Sequence, residues 1–326
     1  SCGLSECIRE AADRIGWEYK RGKLPLGRGV GLGTGAYYSG SRYVHDTSGA
    51  YVRLREDGSI SLITGAPDIG QGSDTALAQI AAEEIGVRLE DVHVTSADSE
   101  LAPVDEGAFA SRVTFVAGNA VKLAAADARR QLVEKAADLL EVHPEDLRVR
   151  DGEVHVAGNP ELGMTVAEAV TAIMKADGGG NILGRGNYVP DVEKLHPETG
   201  AGNISGAYSF GAQAAEVEVN PRTGRVNVLR MTAAIDCGRP LNPMAVEGQM
   251  EGSIAMGLGW ALSEDFVRVE GRTLNASFLD YHIPRVENVP PMDVIIVETE
   301  DPLGPFGAKG MSEGSMLPTA PAVVNA

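Results

Sequence analysis

Near the C-terminus, Gly307-Ala308-Lys309-Gly310-Met311-Ser312-Glu313-Gly314 sets one carboxylate among three glycines. Glycines without side-chain bulk let a backbone come close to a bound group. The residues that follow, Ser315 to Ala326, are mostly small, apolar and proline-punctuated. A carboxylate in such surroundings is poorly solvated when charged and suited to take up a proton, so Glu313 is a candidate general base. The plainer reading is a surface glutamate in a glycine loop. A second candidate is Gly70-Gln71-Gly72, followed by Ser73-Asp74-Thr75 at the start of a helix. The glutamine offers one acceptor and two donors. The helix start aims free N–H groups at a phosphate or an oxo anion. Its plainer reading is a turn before a helix. Gln249, placed just ahead of the apolar run Ile254 to Leu262, has the same two readings. Ser111 and Thr114 add hydroxyls, either as ligand donors or as ordinary loop residues.

Other chemistries fit less well. Gly310-Met311-Ser312-Glu313-Gly314 matches G-x-S-x-G, but a nucleophile elbow needs a strand before it, a helix after it, and an acid and a histidine downstream. Here Pro302 and Pro305 precede, Pro318 and Pro321 follow, and no Asp or His comes after Ser312. The six histidines, at 45, 93, 143, 155, 196 and 282, have no ligand spacing, so side chains alone do not build a metal site. Gly27-Arg28-Gly29-Val30-Gly31-Leu32-Gly33-Thr34-Gly35 fails the dinucleotide spacing, since positions 32, 34 and 36 are Leu, Thr and Ala. Glycine at every second residue instead leaves one face of a strand bare for another backbone or a flat ligand. A net charge of −18 argues against nucleic acid and anionic membranes as partners. No apolar run approaches the ~18 residues a membrane span requires. Three cysteines without zinc-type spacing fit a reducing cytoplasm. Serine at position 1 and an ending inside an apolar run read as a piece of a longer chain.

These candidates need elements to position them. Ser5 to Tyr19 is predicted as an amphipathic helix with Ile8, Ala11, Ala12 and Ile15 on one face. Ala50 to Leu54 and Ser59 to Thr64 form a hairpin, then the Gln71 loop, then a helix from Ala76 to Ile85. Ala212 to Val219 and Arg225 to Ile235 form another hairpin, then a loop with Cys237-Gly238 and Asn242-Pro243, then Gln249 and a helix. Hairpin, loop, glutamine and helix therefore occur twice. Between them come a helix from about Ala117 to Leu140, a hairpin turning at Asp151-Gly152, and a helix from Thr165 to Lys175. The fold class is α+β, with two similar hairpin-and-helix lobes over residues 27–176 and 205–326 facing one site. A Gly-rich loop over residues 177–204 joins them. Phe266 to Phe278 is read as a hairpin and Val294 to Val297 as a short strand.

Taken together, several segments resemble the molybdenum hydroxylase family, also called the xanthine dehydrogenase or aldehyde oxidase family. They are Asp68-Ile69-Gly70-Gln71-Gly72 with Gln79 to Glu84; Ala110-Ser111 with Gly118-Asn119-Ala120; Asp236-Cys237-Gly238 with Leu241-Asn242-Pro243, Gly248-Gln249, Glu251-Gly252 and Gly257-Leu258-Gly259; and Gly307 to Gly310 with Glu313. The resemblance is to the C-terminal half of the family's molybdopterin-binding region, and the medium molybdopterin subunit of the nicotinate dehydrogenase type is similar. It implies molybdenum held by the dithiolene of a pterin, usually the cytosine dinucleotide form in bacteria, with no protein metal ligand. It implies hydroxylation of an electron-poor carbon, with water as oxygen source and Glu313 as the base. Gly70, Gln71, Gly72, Ser73, Thr75, Ala110, Ser111, Thr114, Gln249, Lys309 and Gly310 take the cofactor-binding positions. Tyr37 and Tyr38 fall near where a pocket wall is expected, and Ser312 and Gly314 stand where relatives vary. FAD and 2Fe-2S clusters are expected on partner subunits, beside a subunit carrying the other half of the molybdopterin site. The alternative is a non-catalytic assembly or binding module sharing the fold.

Overall fold

The computed structural model describes residues 1–41, 46–176 and 179–326. His45, and Asp177 and Gly178 at the start of the Gly-rich stretch, lie outside the described residues. In chain order the elements are α1 (Leu4–Ile15), α2 (Trp17–Lys20), β1 (Arg28–Tyr38), β2 (Ser48–Leu54), β3 (Ile60–Thr64), α3 (Ser73–Ile85), β4 (Val92–Ser96), α4 (Gly118–Leu140), β5 (Leu147–Arg150), β6 (Glu153–Val156), β7 (Asn159–Thr165), α5 (Val166–Lys175) and β8 (Leu183–Tyr188). Then come β9 (Tyr208–Val219), β10 (Val226–Asp236), α6 (Pro243–Leu262), β11 (Arg268–Val269), β12 (Arg272–Thr273), β13 (Met292–Val297), α7 (Ser312–Met316) and α8 (Thr319–Asn325). The mixed α+β class expected from the sequence is borne out. No helix among the described residues is long and apolar enough to cross a membrane.

The chain divides into two compact units. One holds Ser1–Tyr38, Ala207–Pro302 and Gly307–Ala326; the other holds Ser39–Gly206 and Leu303–Phe306. Residues 27–38, read from the sequence with the first lobe, form β1 and pair antiparallel with β9 in the first of these units.

The first unit is built on a four-stranded sheet in the order β1-β9-β10-β13. Period-two alternation gives the sheet two apolar faces. Ala212, Ala234 and Val297 turn toward Cys7 and Ala11 of α1. Ala215, Val217, Met231, Ala233 and Ile235 turn the other way, toward Met250, Ile254 and Leu258 of α6 and Ala322 and Val323 of α8. Gly16, at φ 79°, ends α1 in the left-handed region and splits the predicted helix in two. Burial raises the Cys7 and Cys237 thiols to about 12, with the charge of Asp236 adding to it, so both stay protonated.

The glycines of β1 face the C-terminal tail. A Cβ on Gly29, Gly31 or Gly33 would strike backbone atoms of Ala326, Ala322 or Pro318. The bare strand face predicted from the sequence is thus filled by backbone, that of α8.

The second unit has a four-stranded sheet in the order β4-β3-β2-β8, covered by α3 and α4, and a three-stranded sheet β5-β6-β7. β8 corrects the expected loop over residues 177–204: Leu183 to Tyr188 pairs with β2. Its glycines misled the sequence reading for a physical reason. A Cβ on Gly184 or Gly186 would strike the carbonyls of Ala124 and Ala120, so this strand is glycine-rich because α4 lies directly on it. Thr165 and Glu168 form a reciprocal capping box that starts α5 where expected.

Gly31→Val forces a branched side chain into the backbone of α8. The expected result is a loss of about 1–3 kcal/mol or more, read as a lower urea midpoint. An unchanged midpoint would mean that the tail is not packed against this strand.

Candidate functional site

Glu313 sits in the first turn of α7. β1 brings a partner to it. Tyr37 has the same parity as the bare glycines and so faces the same side of the sheet as the tail. Its hydroxyl donates to Glu313 Oε1 at 3.2 Å. Burial, a hydrogen bond with Tyr38 and the nearby Glu313 charge keep the Tyr37 phenol protonated well above its ordinary range. The Tyr38 ring stacks on Tyr37 with centroids 4.4 Å apart.

The backbone on either side of Glu313 is pinned. Ser253 of α6 donates to the Ser312 carbonyl at 3.0 Å, and the Ser315 hydroxyl donates to the same carbonyl at 2.7 Å. Gln213, a lone polar side chain in the apolar run of β9, is buried; its amide donates to the Ser315 carbonyl and its oxygen accepts from Thr319 Oγ1 at 2.8 Å. A Cβ on Gly257 would meet Thr319, and one on Gly314 would meet the Ser209 hydroxyl, so both glycines are needed for this packing. Gln213, Ser253 and Thr319 were missed from the sequence. The available signal was Gln213, a polar residue inside the apolar run from Phe210 to Ala215 of β9.

Lys309 and Gly310 are buried. Lys309 Nζ lies 2.8 Å from Asp236 Oδ2, with both side chains fully buried. Asp236 also accepts from the Gly3 amide at 2.8 Å, the Gly238 amide at 3.0 Å and Thr299 Oγ1 at 2.6 Å. The pair therefore ties the start of the chain, the end of β10 and the Glu313 segment into one knot. Gln249 lies inside α6, which begins at Pro243 with Asn242 as its cap. The expectation that it precedes a helix is corrected: Asn242-Pro243 is the start signal, and the helix runs through the glycines before Ile254.

In the other unit, Gly70, Gln71, Gly72 and Ser73 are brought together. The Gln71 amide donates to the Pro67 carbonyl at 3.1 Å and to Ser73 Oγ at 2.9 Å, while its oxygen accepts from the Ile69 amide at 2.6 Å. The N–H groups read as an anion seat already have an anion. Asp68 Oδ1 accepts from the Gly70 amide at 2.8 Å, and Oδ2 from the Asp74 amide at 3.1 Å. Burial works against the Asp68 charge, but the backbone N–H groups of Gly70, Asp74, Gly72 and Ser73 outweigh it and hold the carboxyl below its usual range. Within the loop and α3, Asp74 Oδ1 and Gln79 Oε1 are buried acceptors with no partner. A Cβ on Gly70 or Gly72 would meet nothing within 4 Å. Thr75 is exposed on α3.

Ala110 and Ser111 stand together elsewhere in this unit, both in the left-handed region at φ 51° and 50°. Non-glycine residues there cost about 1–3 kcal/mol each and persist only where the surroundings enforce them. The next residue, Arg112, supplies the enforcement. It is fully buried, bonds Asp46 and Asp105 at 2.7 Å each, and donates to the carbonyls of Gly107 and Thr47 at 2.9 and 2.7 Å. A π-helical turn over Val113–Ala117, holding Thr114, then leads into α4. The sequence reading passed over Arg112, because an arginine in a polar loop gives no sign of burial. Among the described residues no group of three His, Cys, Asp or Glu side chains is placed to hold a metal ion.

The family described as Molybdopterin cofactor-binding domain matches residues 9–290, and the chain belongs to it. Among its relatives, the xanthine dehydrogenase molybdenum-binding subunit of Escherichia coli O157:H7 is 31% identical over 337 residues, across 100% of this chain and 43% of the relative. The nicotine 6-hydroxylase large subunit of Paenarthrobacter nicotinovorans is 33% identical over 284 residues, across 86% of this chain and 34% of the relative. Among solved structures, quinoline 2-oxidoreductase from Pseudomonas putida 86 superposes with a TM-score of 0.86 at 30% identity, across 99% of this chain and 42% of that one. The chain thus spans less than half the length of the relatives it matches.

Arg112→Met leaves two buried carboxylates without their cation. Breaking such a pair costs about 3–5 kcal/mol, read as a lower urea midpoint. Adding Asp46→Asn and Asp105→Asn to that variant is expected to recover part of the loss. A wild-type midpoint for Arg112→Met alone would show that the cluster does not hold the turn.

Proposed function

We propose that this chain is part of the molybdopterin-binding subunit of a multi-subunit dehydrogenase. The reaction is hydroxylation of an electron-poor carbon, in an N-heterocycle such as nicotinate or a purine, or in an aldehyde, with water as oxygen source. The observation that carries this reading is the pairing of Glu313 with Tyr37 in a tail fixed by Gln213, Ser253 and close contact with β1. A carboxylate held that firmly is preorganised to receive a proton from the nucleophile, and the protonated phenol orients it by donating to one oxygen.

The residues present also fit a pterin carrying a cytosine dinucleotide. Both rings bear N–H donors, and Asp74 Oδ1 and Gln79 Oε1, on the helix that follows the bare glycines 70 and 72, are buried acceptors in need of donors. Gly70, Gln71, Gly72, Ser73 and Thr75 would hold polar groups of the cofactor, helped by Ala110, Ser111 and Thr114. Gln249 would contribute from α6. Lys309 and Gly310 would act from behind, fixing the segment that carries Glu313. When bound, the cofactor supplies the redox change and the Lewis acidity that no side chain here provides. FAD and 2Fe-2S clusters on partner subunits would take the electrons onward, in the cytoplasm, with the remaining half of the molybdopterin site on a further polypeptide.

Glu313→Gln keeps the shape and removes the base. In the native complex it is expected to lower kcat by about 10²–10⁴-fold, while molybdenum per protomer, measured by plasma mass spectrometry, stays at the wild-type level. Retained turnover would end the assigned role. A wild-type complex without molybdenum would favour the non-catalytic module.

A further inference from the structure

A base serves a second turnover only after the proton it took up has left. The reacting groups stand over the acid at that moment, so the proton needs a way out that they do not occupy. β1 supplies one. The Tyr37 hydroxyl lies 3.2 Å from Glu313 Oε1 and is hydrogen-bonded to the Tyr38 hydroxyl as well. Its placement is tight. A Cβ on Gly314, next to the acid, would come within 3.3 Å of the Tyr37 Cβ, and the Ser209 hydroxyl donates to the Tyr37 carbonyl at 3.4 Å.

Stacked neighbours are not what a strand dictates, because consecutive side chains point to opposite faces. Tyr38 is the last residue of β1, and there the alternation lapses. The two rings lie 4.4 Å apart with 19° between their planes. The stack therefore sets the hydroxyls side by side, one on the acid and one beyond it. Both tyrosines are half-buried, so the pair leads from Glu313 toward water.

We propose that the Tyr37 and Tyr38 hydroxyls form a proton relay that returns Glu313 to its charged form after each turnover. The relay rests on the reading of Glu313 as the base. A hydroxyl has one hydrogen to give and two lone pairs to accept with, and the Tyr37 hydroxyl has two partners. While Glu313 is charged, the Tyr37 hydrogen goes to it. Once Glu313 holds a proton, the bond reverses. The acid gives its hydrogen to the Tyr37 oxygen, Tyr37 gives its own to the Tyr38 oxygen, and Tyr38 gives its own to water. Each O–H bond that breaks is matched by one that forms, and no electron changes hands. The transfers run as one concerted shift rather than through a phenolate. Burial, the bond with Tyr38 and the Glu313 charge all hold the Tyr37 phenol protonated. Both tyrosines act through Glu313 and are positioning residues for its proton.

The test uses the native complex isolated through this chain. Tyr38→Phe keeps the ring stack and the Tyr37–Glu313 bond and removes only the outer hydroxyl. It is expected to lower kcat about tenfold or more. The value of kcat/KM for the organic substrate is expected to stay near wild type, because proton release follows the step that consumes the substrate. Imidazole, a small proton carrier, is expected to restore kcat. Tyr37→Phe with Tyr38→Phe is expected to be no slower than Tyr37→Phe alone, the mark of two groups in one chain. A readout independent of turnover is the fluorine resonance of a fluorotyrosine placed at position 37, expected to shift in Glu313→Gln and in Tyr38→Phe. Wild-type kcat in Tyr38→Phe, a fall in kcat/KM that imidazole does not reverse, or a fluorine resonance indifferent to Glu313→Gln would each overturn the relay. A wild-type complex without molybdenum or turnover would refute the functional reading and the relay with it, whereas an active wild type with an unaffected Tyr38→Phe refutes the relay alone.

Discussion

The placement of Glu313 depends on a strand with no side chains on one face. A tail helix cannot normally approach a sheet closely enough for backbone atoms to touch it, because Cβ atoms hold the two layers apart. β1 removes that spacing at every second residue from Gly29 to Gly33, where any Cβ would collide with the tail. The same alternation then sets Tyr37 on the tail side, within hydrogen-bond reach of the carboxylate. Gln213 stands opposite Gly33 on β9 and answers the polar backbone that this close approach would otherwise leave buried. One period-two pattern thus fixes both the position of the acid and the identity of its neighbour.

The parts of this arrangement that were legible in the sequence are those governed by local rules. Glycine at alternate positions announced a bare strand face, Thr165 with Glu168 announced a helix start, and Asp151-Gly152 announced a hairpin turn. What was illegible depended on contacts distant in the chain. β8 looks like a loop because Gly184 and Gly186 have low strand propensity, and only α4 lying across them explains the choice. Gln249 was set ahead of its helix because glycines at 248 and 252 weaken the local helical signal, while the Asn242 cap acts over the whole helix. Arg112 gave no signal at all, since the two carboxylates that allow it to be buried lie at positions 46 and 105.

The acidic composition takes on a more specific meaning once these partners are known. With a net charge of −18, cations are scarce, and two of them are used far from water. Lys309 joins Asp236, and Arg112 joins Asp46 and Asp105, each where chain segments distant in sequence must meet. Buried pairs of this kind contribute little net stability against an apolar alternative, but removing one partner is costly. Here they hold the Glu313 segment and the strained Ala110–Ser111 turn.

Asp68 bears on how a ligand is recognised at the Gln71 loop. An open helix N-terminus attracts any anion, including inorganic phosphate, with little selectivity. A carboxylate held well into its charged form by backbone N–H groups blocks that use and neutralises the positive end of α3. The loop is then shaped before any ligand arrives, with Gln71 tied at both ends to the Pro67–Ser73 backbone and hydroxyl. The buried demand left in this region comes from the acceptors Asp74 Oδ1 and Gln79 Oε1. A buried acceptor left unmatched costs about 1–3 kcal/mol, so these two atoms favour hydrogen-bond donors over further negative charge in their surroundings.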